Sequence, residues 1–216
     1  MNAEARRQKY REELRADLLK AARDLFIRDG YESFSMRKLA EKVGYTHGTI
    51  YLYFENKEQL FDCLVEESFA QLSEALQGLA NAHPEYDPVQ LLKAAARVYI
   101  EFGLKNPGAY EFAFIIRRTG EPRPWQPHAA FHFASALVER CVREKYFREV
   151  DAATAAQAMW AAVHGVTSLL ILRPSFPWVD RERLIQQVID QAVDGLIAAR
   201  KPTKRQGAKR GTRRSR

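Results

Sequence analysis

Apolar residues recur at helical spacing along almost the whole of this 216-residue chain. In the first such segment they follow an i, i+4, i+7, i+8, i+11 pattern, which places them on one face of a helix that Gly30 is expected to end. These residues are Leu14, Leu18, Ala21, Ala22, Leu25 and Phe26. Runs of alternating apolar and polar residues with β-branched enrichment, which would indicate strands, do not appear. The chain is therefore predicted to be all-α.

Side-chain caps and prolines divide the rest of the chain into further helices. Asp87-Pro88 and Asn106-Pro107 each join a capping side chain to a proline suited to a first helical turn. Nine helices are expected: one before Gly30, then 36–43, 47–53, 58–80, 88–104, 107–118, 128–147, 151–172 and 180–200. We divide the chain into an N-terminal domain (1–55), a connecting helix (56–80), a C-terminal helical domain (81–200) and a tail (201–216).

The formal net charge of +7 is concentrated at the C-terminal end of the sequence. Residues 201–216 hold eight Lys or Arg and no acidic residue, so the rest of the chain carries a net charge of −1. Net charge alone therefore does not establish nucleic-acid binding. We expect the tail to be a solvated, disordered end that adds salt-sensitive, sequence-independent attraction to phosphates.

The sequence favours a cytoplasmic protein without a metal or cofactor. No segment approaches the ~20 uninterrupted apolar residues of a membrane span, and charged residues occupy the start of the sequence, where a signal peptide would need an apolar run. Cys63 and Cys141 lack CxxC spacing and are expected to be reduced thiols. His128 and His132 have the i, i+4 spacing of a metal pair, but no nearby Cys, Asp or Glu completes a set.

Three capped helix starts follow one another in the N-terminal part of the chain. Ser35, Thr46 and Asn56 stand at N-cap positions, and Asn56 with Gln59 forms a start similar to a capping box. Gly44 ends the first of these helices and permits a tight turn. Two short helices joined by a glycine-containing turn are the geometry that lets a second helix enter the major groove of DNA.

The helix 47–53 is the candidate for reading DNA. Its outward residues with hydrogen-bonding groups are His47, Thr49, Tyr51 and Tyr53. Gly48 allows the backbone to approach DNA closely, and Lys57 can hold a phosphate together with the free N–H groups of the next helix. The alternative is an ordinary helical bundle in which Tyr51 and Tyr53 are partly buried core aromatics.

Residues 14 to about 66 resemble the DNA-binding domain of the tetracycline-repressor (TetR) family. The matching elements are AARDLFIRDGYESFSMRKLAEKVG, the turn and helix YTHGTIYLYF, and the closing ENKEQLF. The resemblance implies sugar-phosphate contacts for Ser35, Arg37, Tyr51, Tyr53 and Lys57. It places Thr46, His47, Gly48 and Thr49 nearest to the bases, and Tyr51 can serve both roles. Basic residues before the first core position either reach an adjacent minor groove or form a solvated helix face: Arg6, Arg7, Lys9 and Arg11.

Members of this family pair the N-terminal domain with an all-helical C-terminal domain that dimerises and often binds a small molecule. The last predicted helix favours dimerisation independently, because its i, i+1, i+4, i+5 apolar stripe is broad enough to pack on its own subunit and on a partner helix. The stripe consists of Leu184, Ile185, Val188, Ile189, Ala192, Val193, Leu196 and Ile197. The helix 151–172 is rich in Ala and Gly, which permits close helix approach. We expect a two-fold homodimer built from these two helices of each subunit.

A second, shorter resemblance concerns residues 160–165, which are similar to the Trp/His/Gly signature of one C-terminal subclass of the family. Trp160 and His164 share a helix face. Either they line a ligand cavity, or they belong to the core and His164 bonds a buried carbonyl. Nearby aromatics suit an apolar pocket or a plain core, and Arg117 suits an anionic ligand group or the helix dipole. The candidate effector-binding residues are Phe102, Tyr110, Phe114, Arg117, Trp160 and His164, for an effector that is largely apolar or aromatic.

Together these features favour a homodimeric repressor that places two reading helices in successive major grooves of a palindromic operator, roughly 34–36 Å apart. An effector in the C-terminal domain would release it. One alternative is an architectural DNA-binding protein whose basic tail does most of the binding. An enzyme is disfavoured, because the sequence shows no nucleophile–base pair, suitably spaced carboxylates or phosphate loop.

Overall fold

The computed structural model describes residues 3–116 and 128–198, and these ranges are built from helices. In chain order the helices are α1 (Ala3–Ser33), α2 (Met36–Val43), α3 (His47–Tyr51), α4 (Lys57–Ala82), α5 (Pro88–Lys105), α6 (Pro107–Tyr110), α7 (Ala129–Arg143), α8 (Ala152–Leu172) and α9 (Arg181–Asp194). A π-helical turn, Glu111–Ile115, continues α6. For the described ranges, the all-α prediction and the count of nine helices are confirmed. Arg117 and the basic tail lie outside the described residues.

Helices α1, α2, α3 and the first half of α4 surround one cluster of buried side chains, the N-terminal core. Phe26 is fully buried there, and its ring centroid lies 3.9 Å from that of Phe34 and 5.3 Å from that of Phe61. Leu39 of α2 and Ile50 of α3 enter the same cluster. Helices as short as α2 and α3 are not stable alone, so this core is what holds them in place.

A second cluster, the C-terminal core, lies around α5, which contacts α4, α7, α8 and α9. The Lys93 ammonium joins α5 to α9 through Asp190 at 2.8 Å and Asp194 at 2.6 Å. One helix in the described ranges, α8, is long and apolar enough by length and composition to cross a membrane. It contacts α5, α7 and α9, so its apolar residues contribute to the core of the C-terminal domain.

The α6 segment and its π-helical turn contact both cores. Phe112 is buried in the N-terminal core, with its ring 5.7 Å from Phe26 and 5.4 Å from Phe61. Tyr110 and Phe114, on either side of it in the sequence, belong to the C-terminal core. π-helical turns are frequent at functional sites, and here the turn directs neighbouring aromatics to different domains.

The predicted ends of the N-terminal helices need adjustment. Gly30 breaks α1 as expected, with φ of +78°, but the helical turn resumes and continues to Ser33. The reading helix ends at Tyr51 rather than at residue 53, because Leu52 and Tyr53 form the turn that leads to α4.

Two predicted helix ends in the C-terminal domain are wrong. Helix α7 ends at Arg143, and not at residue 147. Helix α9 ends at Asp194, and not at residue 200, because the chain turns and bonds to the segment that follows α7. There the backbone N–H of Arg148 donates to the Leu196 carbonyl at 2.8 Å. An isolated β-bridge between residues 147 and 197 completes the contact.

Candidate nucleic-acid interface

The chain from Ser35 to Thr49 forms two helices joined by a tight turn. At the start of α2 the backbone N–H of Lys38 donates to Ser35 Oγ at 3.2 Å. Gly44 ends α2 with φ of +73°, in the left-handed region that a side chain disfavours. At the start of α3 the backbone N–H of Thr49 donates to Thr46 Oγ1 at 3.2 Å. The predicted caps and the glycine turn are confirmed.

Helix α3 presents one face to solvent. Ile50 is fully buried on the opposite face, whereas His47 is exposed and Tyr51 is 46% exposed. The rings of His47 and Tyr51 contact each other at a right angle, with centroids 4.8 Å apart. Tyr51 is therefore a surface residue, contrary to the core-aromatic alternative, and it adjoins His47 on the outward face.

The other candidate residues of this helix are covered to different degrees. Gly48 is exposed, and a Cβ placed there would meet nothing closer than Thr46 Oγ1 at 3.9 Å. Thr49 is half-buried, with its hydroxyl 2.8 Å from that of Thr46. Tyr53 is half-buried and packs against the N-terminal core, so the core-aromatic alternative describes it in part.

The start of α4 holds a cation. Asn56 caps this helix, since its Oδ1 accepts the backbone N–H of Gln59 at 2.7 Å. The Lys57 ammonium lies 4.1 Å from the centre of the Tyr31 ring and 3.5 Å from the Glu32 carbonyl. These contacts keep the positive charge at the first turn of α4, where the helix dipole and free N–H groups also attract an anion.

The surface around α3 includes residues that the sequence argument did not single out. The exposed hydroxyls of Tyr10 and Tyr45 lie 3.4 Å apart, between α1 and the turn before α3. Leu52, directly after α3, is 75% exposed. Arg37 is exposed and pairs with Glu41 at 3.0 Å, a surface pair that water screens strongly. The basic residues near the start of α1 form an exposed helix face: Arg6, Arg7, Lys9 and Arg11.

A cavity of about 330 Å³ lies between α4, α5, α7 and α8. Among the candidate effector residues, Phe114, Trp160 and His164 line it. The Trp160 and Phe114 ring centroids are each 5.6 Å from that of His164. Phe102 and Tyr110 do not line the cavity, because both are buried in the C-terminal core, and their assignment to the cavity wall is corrected. Arg117 lies outside the described residues.

The His164 imidazole meets two tyrosine hydroxyls instead of the expected carbonyl: that of Tyr99, which also lines the cavity, and that of Tyr110, which lies outside the lining. Its Nδ1 lies 2.7 Å from the Tyr110 hydroxyl and 3.2 Å from the Tyr99 hydroxyl. Burial lowers the pKa of the His164 imidazole, raises the pKa of Tyr99 and raises the pKa of Tyr110 to about 12. At neutral pH the imidazole is therefore uncharged and both phenols keep their protons. Tyr99 was missed because the sequence does not show which turn of α5 faces α8.

Neither histidine of the i, i+4 pair joins a metal site. His128 lines the cavity and stacks on Phe69, with ring centroids 3.5 Å apart, whereas His132 is exposed. Within residues 3–116 and 128–198, no group of three His, Cys, Asp or Glu side chains is placed to hold a metal ion. Cys63 and Cys141 are free thiols.

A shallow apolar groove runs along the outer face of α8 and α9. Its residues are Ala161, Ala162, Gly165, Val166, Leu169, Trp178, Leu184, Val188, Gln191 and Ala192. Gly165 is half-buried, and a Cβ placed there would meet nothing within 4 Å, so its own subunit leaves this surface open.

The apolar stripe of α9 divides between this groove and the core. Leu184, Val188 and Ala192 line the groove. The other residues of the stripe on α9 are buried in the subunit's own core: Ile185, Ile189 and Val193. Their assignment to a dimer interface is corrected, as is that of Leu196, which lies beyond the end of α9 and packs against the core.

Comparison with known proteins identifies both parts of the chain. Residues 18–64 match the family model described as bacterial regulatory proteins, tetR family. Residues 92–195 match the model described as tetracyclin repressor-like, C-terminal domain. The chain is 38% identical over 79 residues to the HTH-type transcriptional repressor AcnR of Corynebacterium diphtheriae, a match covering 33% of this chain and 42% of that protein. It is 34% identical over 82 residues to the nucleoid occlusion factor SlmA of Actinobacillus pleuropneumoniae, covering 37% and 39%. The chain thus matches less than half of the length of these relatives.

Solved structures share the fold over most of the chain. A Rhodococcus sp. RHA1 protein of unknown function superposes with a TM-score of 0.70 at 22% identity, covering 86% of this chain and 96% of that one. The TetR family transcriptional regulator PfmR of Thermus thermophilus gives a TM-score of 0.63 at 20% identity, covering 84% and 99%. At these identities the structures support the fold alone.

Proposed function

Because the chain belongs to the tetR family of bacterial regulatory proteins, we propose that it is a homodimeric transcriptional repressor that a small molecule releases from a palindromic operator. The observation that carries the proposal is α3, a capped helix with an exposed outer face and Ile50 anchored in the core. The relative AcnR is a repressor by name, which favours repression over activation for this chain. A protein that acts on bacterial DNA works in the cytoplasm, where we place it.

In this proposal α3 enters the major groove. His47 and Tyr51, which contact each other on the outer face, and the adjoining Thr49 present hydrogen-bonding groups to base edges. Lys57 and the first turn of α4 hold a phosphate and so fix the depth and angle of α3. Ser35 and Arg37, at the start of α2, contact the sugar-phosphate backbone of the DNA on the other side of the turn.

Two copies of α3 must stand about 34–36 Å apart to enter successive major grooves. The apolar groove of α8 and α9 supports a two-fold dimer, because a small-residue surface around Gly165 lets helices approach closely. The same helices of the partner would cover this groove.

The α6 segment supports effector control. Phe114 lines the cavity while Phe112, two residues earlier, packs in the N-terminal core. A ligand that favours one position of Phe114 therefore favours one position of the N-terminal domain. The coupling free energy between an effector site and a DNA site is typically about 1–3 kcal/mol, which changes the affinity for the operator about 5- to 150-fold.

We predict that His47→Ala and Thr49→Ala each reduce the preference for the operator over random duplex by about 5- to 150-fold, because lost base contacts cost roughly 1–3 kcal/mol. Thr49→Ala keeps the backbone N–H that Thr46 caps, so α3 itself should remain. The operator is first obtained by genome-wide selection of bound fragments, and affinities are then measured by fluorescence anisotropy on the selected site and a scrambled site.

Lys57→Ala is the contrasting variant for this experiment. It should weaken binding to both duplexes alike and flatten the dependence of log affinity on log salt by about one unit. If His47→Ala and Thr49→Ala leave the preference unchanged while Lys57→Ala alters it, the roles assigned to these residues are wrong.

The sequence-nonspecific alternative rests on the eight basic residues of segment 201–216. A variant that ends at Arg200 separates the two proposals. We expect it to keep its footprint on the selected operator and to lose mainly salt-sensitive affinity for random duplex. The same anisotropy assay tests the alternative. If the shortened variant loses most of its affinity for both duplexes, the chain acts as a DNA-coating protein.

A further inference from the structure

The cavity between α4, α5, α7 and α8 is almost entirely apolar. Phenyl and indole rings and the phenol of Tyr99 form part of its lining, and the rest is mainly Leu, Ala, Val and Met, with two histidines. Among the described residues that line it, none is Asp, Glu, Lys or Arg. An anion placed there would lose its hydration with no cationic side chain among the described lining residues, which costs several kcal/mol.

The two histidines of the lining do not supply a charge. Burial lowers the pKa of His128 against a smaller opposing effect of Glu66, and burial lowers the pKa of His164. His128 lies flat against Phe69, which covers one face of its ring. Tyr99 also lines the cavity, but its hydroxyl contacts the hydroxyl of Tyr110 and the imidazole of His164. His164 is therefore the polar group best placed to meet a ligand.

The tyrosines behind His164 determine which of its nitrogens carries the proton. The Tyr99 hydroxyl donates to the Tyr110 oxygen at 3.3 Å, and the Tyr110 hydroxyl is 2.7 Å from Nδ1. The protonated Tyr110 hydroxyl has two acceptors within reach, Nδ1 at 2.7 Å and the His164 carbonyl at 3.3 Å. We assign its proton to the shorter contact, so that Nδ1 accepts and the imidazole proton lies on Nε2. Within the described part of the chain, Nε2 has no hydrogen-bond partner. His164 thus offers a hydrogen-bond donor from the cavity wall.

The volume limits the size of the ligand. The volume of this cavity is about 330 Å³. This lies at the small end of ligand pockets, which span about 300–1,000 Å³.

We propose that this cavity binds a small, uncharged, largely apolar molecule that accepts one hydrogen bond from His164 Nε2. The inference rests on the proposed effector role of the cavity and names its ligand class. Tyr110 is a positioning residue in this site, because it acts through the imidazole.

The experiment uses the full-length protein without DNA and three rigid probes: naphthalene, 2-naphthol and 2-naphthoate. Isothermal titration calorimetry is expected to show that 2-naphthol binds about tenfold more tightly than naphthalene, the effect of one hydrogen bond, and that 2-naphthoate binds more weakly than both. His164→Phe should reduce the affinity for 2-naphthol to that for naphthalene and leave naphthalene binding unchanged. His128→Phe, the same substitution at the other histidine of the lining, should preserve the preference for 2-naphthol.

Three results would overturn the ligand class: tightest binding of 2-naphthoate, equal binding of naphthalene and 2-naphthol, or binding of none of the probes. Equal loss of 2-naphthol affinity in His164→Phe and His128→Phe would remove the assigned role of His164. A separate anisotropy titration then asks whether 2-naphthol releases the operator. Probe binding without release contradicts the proposed effector role and leaves the ligand class standing, so the two failures are distinguishable.

Discussion

Val188→Glu is expected to convert the proposed dimer to monomers and to abolish tight operator binding. Val188 lies in the apolar groove between α8 and α9, and its side chain is half-buried in the single subunit. Within one subunit a glutamate there can still reach water, so the fold should be retained. In a two-fold dimer the substitution places a carboxylate in each half of the apolar interface, and burying an unpaired charge costs several kcal/mol. The dimer dissociation constant should rise at least about 100-fold.

Gln187→Glu is the matched control, because it introduces the same charge one residue earlier on α9, outside the groove lining. Sedimentation velocity should show a dimer for the control and a monomer for Val188→Glu at the same concentration. Circular dichroism should show equal helix content for both. If Val188→Glu remains dimeric, the dimer interface lies elsewhere. The partial exposure of Val188 and its groove neighbours on α9 would then need another explanation.

Local sequence signals predicted the helix caps and the glycine turn of the N-terminal domain, because these features are built from local interactions. Ser35 and Thr46 cap helices through backbone groups three residues away, and Gly44 ends α2 through its own backbone conformation. None of these depends on how distant parts of the chain pack. The exposure of Leu52 was missed for the opposite reason, since an apolar residue next to a helix gives no sign that the surface beside it is empty.

In the C-terminal domain the errors come from packing that the sequence does not determine locally. Phe102 and Tyr99 lie about one helical turn apart on α5, yet Tyr99 lines the cavity whereas Phe102 is buried in the core. The stripe on α9 is wide enough for two surfaces, so its spacing alone did not separate Ile189 in the core from Val188 in the groove. The early end of α9 depends on a bond to Arg148, nearly fifty residues away in sequence.

The other large effect is expected at the junction between the domains. Phe112→Ala should lower the free energy of unfolding of the N-terminal domain by about 3–5 kcal/mol, the usual cost of removing a buried phenyl ring. The ring is 2% exposed and contacts Phe26 and Phe61 across the boundary between α6 and the N-terminal core. Hydrogen exchange should report the loss as faster exchange in α1 and in the first half of α4, with Phe112→Leu retaining most of the protection.

Phe114→Ala tests whether the two aromatics act on different domains. It truncates the same residue type two positions along the π-helical turn, but its ring contacts Tyr110 and His164 in the C-terminal domain. Exchange in α1 should therefore stay unchanged in Phe114→Ala, while exchange increases in α5 and α8 around the cavity. If both variants increase exchange in α1 equally, the two cores unfold as one unit. The π-helical turn would then not transmit a ligand-dependent shift in position, and the effector would have to reach α3 by another route.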